Sequence, residues 1–156
     1  MSTDVIDCYI LPATPLPLLL PTDCIAEVVQ SPEIEPLEKV AANWMMGHAT
    51  WNNQRLSIIS CNALLDSTLG ESKQSTSVKD NAQLIVLNPI PGAIRKAYTG
   101  MICYGDVEQV AMGSDIEMAD LPNEVDKRYV EGAIKTSDQQ YLVPRLTALA
   151  VAFSYF

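Results

Sequence analysis

Residues 44–64 read Trp44-Met45-Met46-Gly47-His48-Ala49-Thr50-Trp51-Asn52-Asn53-Gln54-Arg55-Leu56-Ser57-Ile58-Ile59-Ser60-Cys61-Asn62-Ala63-Leu64, and a diluted copy follows 85 positions later. At that spacing Val40 meets Val125, Trp44 meets Tyr129, Gly47 meets Gly132, Gln54 meets Gln139, Ala63 meets Ala148 and Leu64 meets Leu149. Further upstream a spacing of 82 sets Ile25 against Val107, Val28 against Val110, Glu33 against Asp115, Ile34 against Ile116 and Glu35 against Glu117. The change of register is one small loop difference. Such self-similarity predicts two related lobes built from the same order of elements. Residues 66–83 are polar and rich in Ser and Thr, and they read as a surface loop between halves 1–65 and 84–156.

Those elements are mostly strands. Val5–Leu11, Leu16–Leu20, Ile25–Val29, Arg55–Ser60, Gln83–Leu87, Gly100–Tyr104, Val107–Met112 and Tyr141–Leu146 are short apolar runs bounded by Pro, Gly, Asn or Asp. Pro144 inside its run predicts an edge strand or a bulge. Helices are few and short. Pro36 suits the first turn of a helix over Leu37–Asn43. Asn62 suits the cap of Ala63–Leu69, with Gly70 just past its end, and Thr147 suits the cap of the last apolar segment. The expected class is mainly β, as small barrels or a sandwich.

The composition narrows the function. The chain has 156 residues, 48% of them hydrophobic and 19% charged, which excludes a disordered chain, a coiled coil or a collagen-like fibre. Nineteen acids against ten bases give a net charge of −9. A nucleic-acid binder needs clustered Lys and Arg, so nucleic acid is not an expected partner. No run of about 20 apolar residues is present, so no membrane insertion is expected. Asp4 and Asp7 stand where an export signal would be basic. Cys8, Cys24, Cys61 and Cys103 lie far apart among apolar neighbours and read as core residues of a cytoplasmic protein.

Catalytic constellations are missing. His48 is the only imidazole, and it follows Gly47 at a turn into a strand. There is no Gly-x-Ser-x-Gly elbow, no phosphate loop and no dinucleotide fingerprint, so no cofactor is expected. Seven acids (Asp106, Glu108, Asp115, Glu117, Asp120, Glu124 and Asp126) fall within 106–126 with no base between them. Their spacing is not that of a calcium loop. They read as a solvated acidic face, able to steer a basic partner. Trp44 reads as a core anchor beside two methionines. Trp51, next to the polar Asn52-Asn53, is left open between core and surface.

In order along the chain, these pieces resemble the CheW-like domain of bacterial chemosensory coupling proteins. The apolar strand ending in Pro is Leu18-Leu19-Leu20-Pro21, and the Val-x-Glu-Ile element is Ile25-Ala26-Glu27-Val28. Ile34-Glu35-Pro36 follows, then Gly47 to Asn53 in place of Gly-Val-x-Asn-Leu-Arg-Gly, then Arg55 to Cys61 in place of the Val-Ile-Pro-Val strand. Gly100 to Val110 matches the Gly-Leu-x-Val-Asp element of the second half. The chain looks like a divergent member. The family's Arg-Gly falls on Asn52-Asn53, its strand Pro on Ser57 and its Asp on Ser60.

The resemblance implies a single domain over 1–156, of two intertwined five-stranded SH3-like β-barrel lobes around a shared core, with a few short helices. It implies a non-enzymatic adaptor whose partners are a chemotaxis-type histidine kinase, through its CheW-like regulatory domain, and a methyl-accepting chemoreceptor. Divergent single-domain members serve chemosensory systems that control type IV pili and twitching motility. By the same resemblance Glu27 and the turn Trp51, Asn52 and Asn53 lie near the partner groove. Two rival readings are a small-ligand sensor with a cleft between the lobes and an enzyme using the carboxylates of 106–126.

Overall fold

A computed structural model describes residues 5–13, 16–30, 32–36, 44–65, 82–90, 97–113, 116–123, 125–136 and 139–153. The chain is mainly β, in two six-stranded sheets. The strands in chain order are β1 (Ile6–Leu11), β2 (Leu18–Pro21), β3 (Ile25–Gln30), β4 (Glu35–Pro36), β5 (Met45–Trp51), β6 (Gln54–Ser60), β7 (Ala82–Leu87), β8 (Thr99–Tyr104), β9 (Glu108–Met112), β10 (Glu117–Ala119), β11 (Val130–Lys135) and β12 (Gln140–Pro144). Helix α1 (Cys61–Leu65) follows β6, and α2 (Leu146–Phe153) follows β12.

Sheet A runs β10-β11-β12-β2-β1-β9, and sheet B runs β4-β5-β6-β8-β7-β3. The two orders are the same sequence of roles, so each sheet takes a pair of strands from one half and four from the other. A cut between residues 65 and 84 therefore divides both sheets, and the halves are intertwined. In each sheet one junction is parallel, β12 with β2 and β6 with β8, and the other ladders are antiparallel. The arrangement fits two SH3-like lobes. Each sheet reaches six strands, where the resemblance implies five, through a very short outer strand, β4 or β10.

The spacing of 85 is structural. Met45 pairs with Ile59 and Gly47 with Ile58 across a bulge; Val130 pairs with Pro144 and Gly132 with Val143 across the same bulge. The equivalence continues to Thr50–Arg55 and Lys135–Gln140. The Trp44 carbonyl accepts from Ser60 N at 2.8 Å, and the Tyr129 carbonyl accepts from Arg145 N at 2.7 Å. The upstream spacing of 82 is overturned at β4. Glu35 lies opposite His48, but Glu117 lies opposite Lys135, two places beyond Ala133, the equivalent of His48. A slip of two keeps the same side-chain face, so apolar matching alone does not detect it.

Both faces of the central strands are covered, which explains their unbroken apolar runs. Ile59, Ile85, Leu87 and Met101 of sheet B meet Leu11, Leu20, Ala133 and Leu142 of sheet A, with Leu149 and Phe153 of α2, in one shared core. The alternate residues Leu56, Ile58, Leu84 and Val86 form a separate cluster on the opposite face of sheet B. Cys8, Leu19, Met112, Ile134 and Tyr141 do the same in sheet A. Cys8, Cys61 and Cys103 are buried and Cys24 is half-buried, all as free thiols. A hydrogen bond with Cys61, together with burial, pushes the Cys103 thiol far above its ordinary value, which keeps it protonated and unreactive.

Several local expectations change. Gly47 lies inside β5, at its bulge, and not at a turn. Val130–Lys135 is a strand although its own Gly132 hides it from pattern reading. Pro144 ends β12 opposite the bulge of β11; β12 is an interior strand, so of the two readings the bulge is realised. Ser60, not Asn62, caps α1, because its Oγ accepts from Ala63 N at 3.3 Å. Helix α2 begins at Leu146, one residue before Thr147, and the Arg145 carbonyl accepts from Ala148 N and Leu149 N at 3.1 Å each. The expected helix over Leu37–Asn43 and residues 66–81 of the expected loop lie outside the described residues, and β7 begins at Ala82, inside the loop expected over 66–83.

Candidate partner-binding surface

Sheet B brings the four expected site residues to one corner. Glu27 is on β3, an outer strand, and its side chain is exposed. Trp51 ends β5 four strands away. The sheet curls enough that Trp51 Nε1 donates to Glu27 Oε2 at 3.2 Å. Asn52 and Asn53 are the two-residue turn between β5 and β6, closed by the Trp51–Gln54 pair. Their φ values are +50° and +62°. A hairpin turn with both central residues at positive φ matches the twist of the strands it joins, and Asn is one of the few residues that adopt it readily. The turn therefore keeps its geometry with Asn where the family carries Arg-Gly, while the guanidinium and its fork of donors are lost.

Further residues complete this corner. The Tyr98 ring lies 5.0 Å from the Trp51 ring at 54°, a tilted aromatic pair. An open groove of about 630 Å³ runs beside them, lined by Val29, Ile34, Ala49, Trp51 and Leu84 and rimmed by Glu33, Glu35, His48 and Arg55. Arg55 Nη2 lies 3.7 Å from Glu35 Oε1 and donates to His48 Nδ1 at 3.3 Å. Partial burial, then the neighbouring Arg55 charge, hold the His48 pKa below its ordinary value, against an opposing pull from Glu35. His48 is thus a neutral rim residue near neutral pH. Tyr98 left no sequence signal. Arg55, His48 and Glu35 could have been placed only from strand register, through Thr50–Arg55 and Glu35–His48.

The groove belongs to sheet B alone. The space between the two sheets, where the sensor reading expects a ligand cleft, holds the shared apolar core. Of the acids of 106–126, Glu108 and Glu117 lie on the two outer strands of sheet A, β9 and β10, and Asp106, Asp120 and Asp126 lie outside the strands. Glu117 pairs with Lys135 at 3.7 Å, and Asp126 pairs with Arg128 at 2.7 Å. Among the described residues, no three His, Cys, Asp or Glu side chains are placed to hold a metal ion. No helix among the described residues is long and apolar enough to cross a membrane.

The comparisons with known proteins agree with this architecture. The chain belongs to the CheW-like domain family, whose pattern matches residues 14–152. Among solved structures it is similar to the scaffolding protein TtCheW from Thermoanaerobacter tengcongensis, with a TM-score of 0.67 and 16% sequence identity, covering 91% of this chain and 90% of that one. Comparison with curated proteins gives no match. The family and this neighbour are non-enzymatic scaffold proteins. Membership supports a coupling role in chemotaxis and implies contacts with chemoreceptors and a histidine kinase in general terms.

Proposed function

We propose that this protein is a cytoplasmic adaptor, one domain over 1–156, that couples a methyl-accepting chemoreceptor to a chemotaxis-type histidine kinase by docking on the kinase's CheW-like regulatory domain. Its system would be one that controls type IV pili and twitching motility. The observation that carries the reading is the family match together with the convergence of Glu27, Trp51, Asn52 and Asn53 on one exposed corner. Among the described residues, outer strands such as β3 also offer a sheet edge on which a second chain can add.

Capture of the tagged protein from native lysate tests the partners. The kinase and a receptor should be recovered together, and deletion of the gene should change the twitching zone. Recovery of neither partner by the wild-type protein contradicts the coupling role. A normal twitching zone contradicts only the pilus assignment. Binding at this corner needs no reacting group, which is consistent with a neutral His48 and with the buried, protonated Cys103 thiol.

A further inference from the structure

The groove beside Trp51 has a chemistry of its own. Its wall is apolar, from Val29, Ile34, Ala49, Leu84 and the Trp51 ring, and its rim carries Glu33 and Glu35. Two carboxylates, Glu33 and Glu35, stand at the groove with one guanidinium, Arg55, which pairs with Glu35, and Glu27 adds a third at the corner through Trp51, among the described residues. His48 adds no charge near neutral pH. The indole N–H is committed to Glu27, which fixes how the ring stands against the groove. An aromatic wall beside carboxylates favours an organic cation, by attraction to the ring face and by ion pairing. Long side chains with an aliphatic stem and a charged tip match such a mixed surface. The net charge of −9 adds a long-range attraction of the same sign.

We propose that this groove receives a lysine- or arginine-bearing segment of a partner protein, with the aliphatic stem against Trp51 and Ile34 and the cationic tip between Glu33 and Glu35. The proposal rests on the adaptor reading and adds the chemistry of the docked segment. It differs from general attraction to an acidic surface in that the apolar wall and the two carboxylates must act on the same side chain.

The test uses the full chain and a defined probe. The peptide acetyl-Leu-Arg-Leu-Lys-amide is titrated into 15N-labelled protein, followed by the Trp51 indole N–H signal. The chain has two tryptophans, so Trp51→Phe assigns that signal. A saturable shift is expected with this peptide and none with the neutral counterpart carrying citrulline and norleucine. In Glu33→Gln/Glu35→Gln the affinity should fall about tenfold, the loss of two exposed charge contacts. Both carboxylates are exposed, so the variant keeps the fold. Equal shifts from both peptides, no shift from either, or unchanged affinity in the variant would each overturn the proposal. A second arm compares wild type and the double variant for binding to the kinase regulatory domain and the receptor tip. Weaker binding by the variant supports the proposal, and equal binding overturns it while leaving the adaptor reading intact. No binding by the wild type overturns the adaptor reading itself.

Discussion

Trp44 and Tyr129 occupy the same position in the two halves, 85 residues apart, and their rings meet with centroids 6.5 Å apart at 60°. Equivalent residues touch only close to the axis that relates the halves, so this pair marks where the two sheets are joined. Both rings pack against the shared core. In a double-mutant cycle of Trp44→Leu and Tyr129→Leu, followed by urea unfolding, the coupling should be about 0.5–1.5 kcal/mol. Strict additivity would show that the contact contributes nothing.

The two bulge glycines should respond differently to the same substitution. Gly47 has φ +150°, and a methyl group there would overlap the Glu35 carbonyl oxygen. Gly132 has only the Met118 methyl near, at 3.8 Å from where a Cβ would stand. Gly47→Ala should therefore cost about 2–4 kcal/mol through strain and displacement of β4. Gly132→Ala should stay within about 1 kcal/mol of wild type. Thermal unfolding of both variants checks the contrast, and equal losses would contradict it.

The turn is held by residues that tolerate positive φ. Asn53→Gly should raise stability by a few tenths to about 1 kcal/mol, and replacing both Asn52 and Asn53 by Ala should lower it by about 1–2 kcal/mol. Chemical denaturation gives both values. A neutral double-alanine variant would mean the hairpin does not need this geometry.

His48, the only histidine, gives a single titration curve. Its folded pKa lies below the ordinary 6.5, so the neutral ring is favoured in the folded state. The sign follows. This contribution to stability is present above pH 6.5 and is lost as the pH falls through the folded value. A proton NMR titration should give a midpoint below 6.5, and Arg55→Ala should move it upward by removing a neighbouring positive charge. A wild-type midpoint above 6.5 would contradict the geometry of the rim.

Much of the fold was legible because its strands are short, apolar and punctuated by Pro, Gly and Asn. Eight runs read from the sequence overlap eight of the twelve strands among the described residues. β5 and β11 were hidden one by one, since each contains a glycine at a bulge that interrupts its apolar pattern. The spacing of 85 nevertheless matched Gly47 to Gly132, so the repeat kept what single-strand patterning lost. Helix starts were misplaced by one or two residues because Ser60, buried at the end of β6, reaches Ala63 N before Asn62 is needed. The site was legible only through the resemblance. Trp51 meets Glu27 because a curled sheet brings together strands four apart, and no local pattern encodes that.

The central claim is that this corner docks the kinase. Isothermal titration of the purified chain with the CheW-like regulatory domain of the kinase from its own genome tests it most directly, with Trp51→Ala measured beside wild type. Wild type should bind saturably, and the variant should bind at least about tenfold more weakly, or about 1.4 kcal/mol, while keeping its strand signal in circular dichroism. No binding by wild type, or equal affinity for a folded variant, would contradict the account.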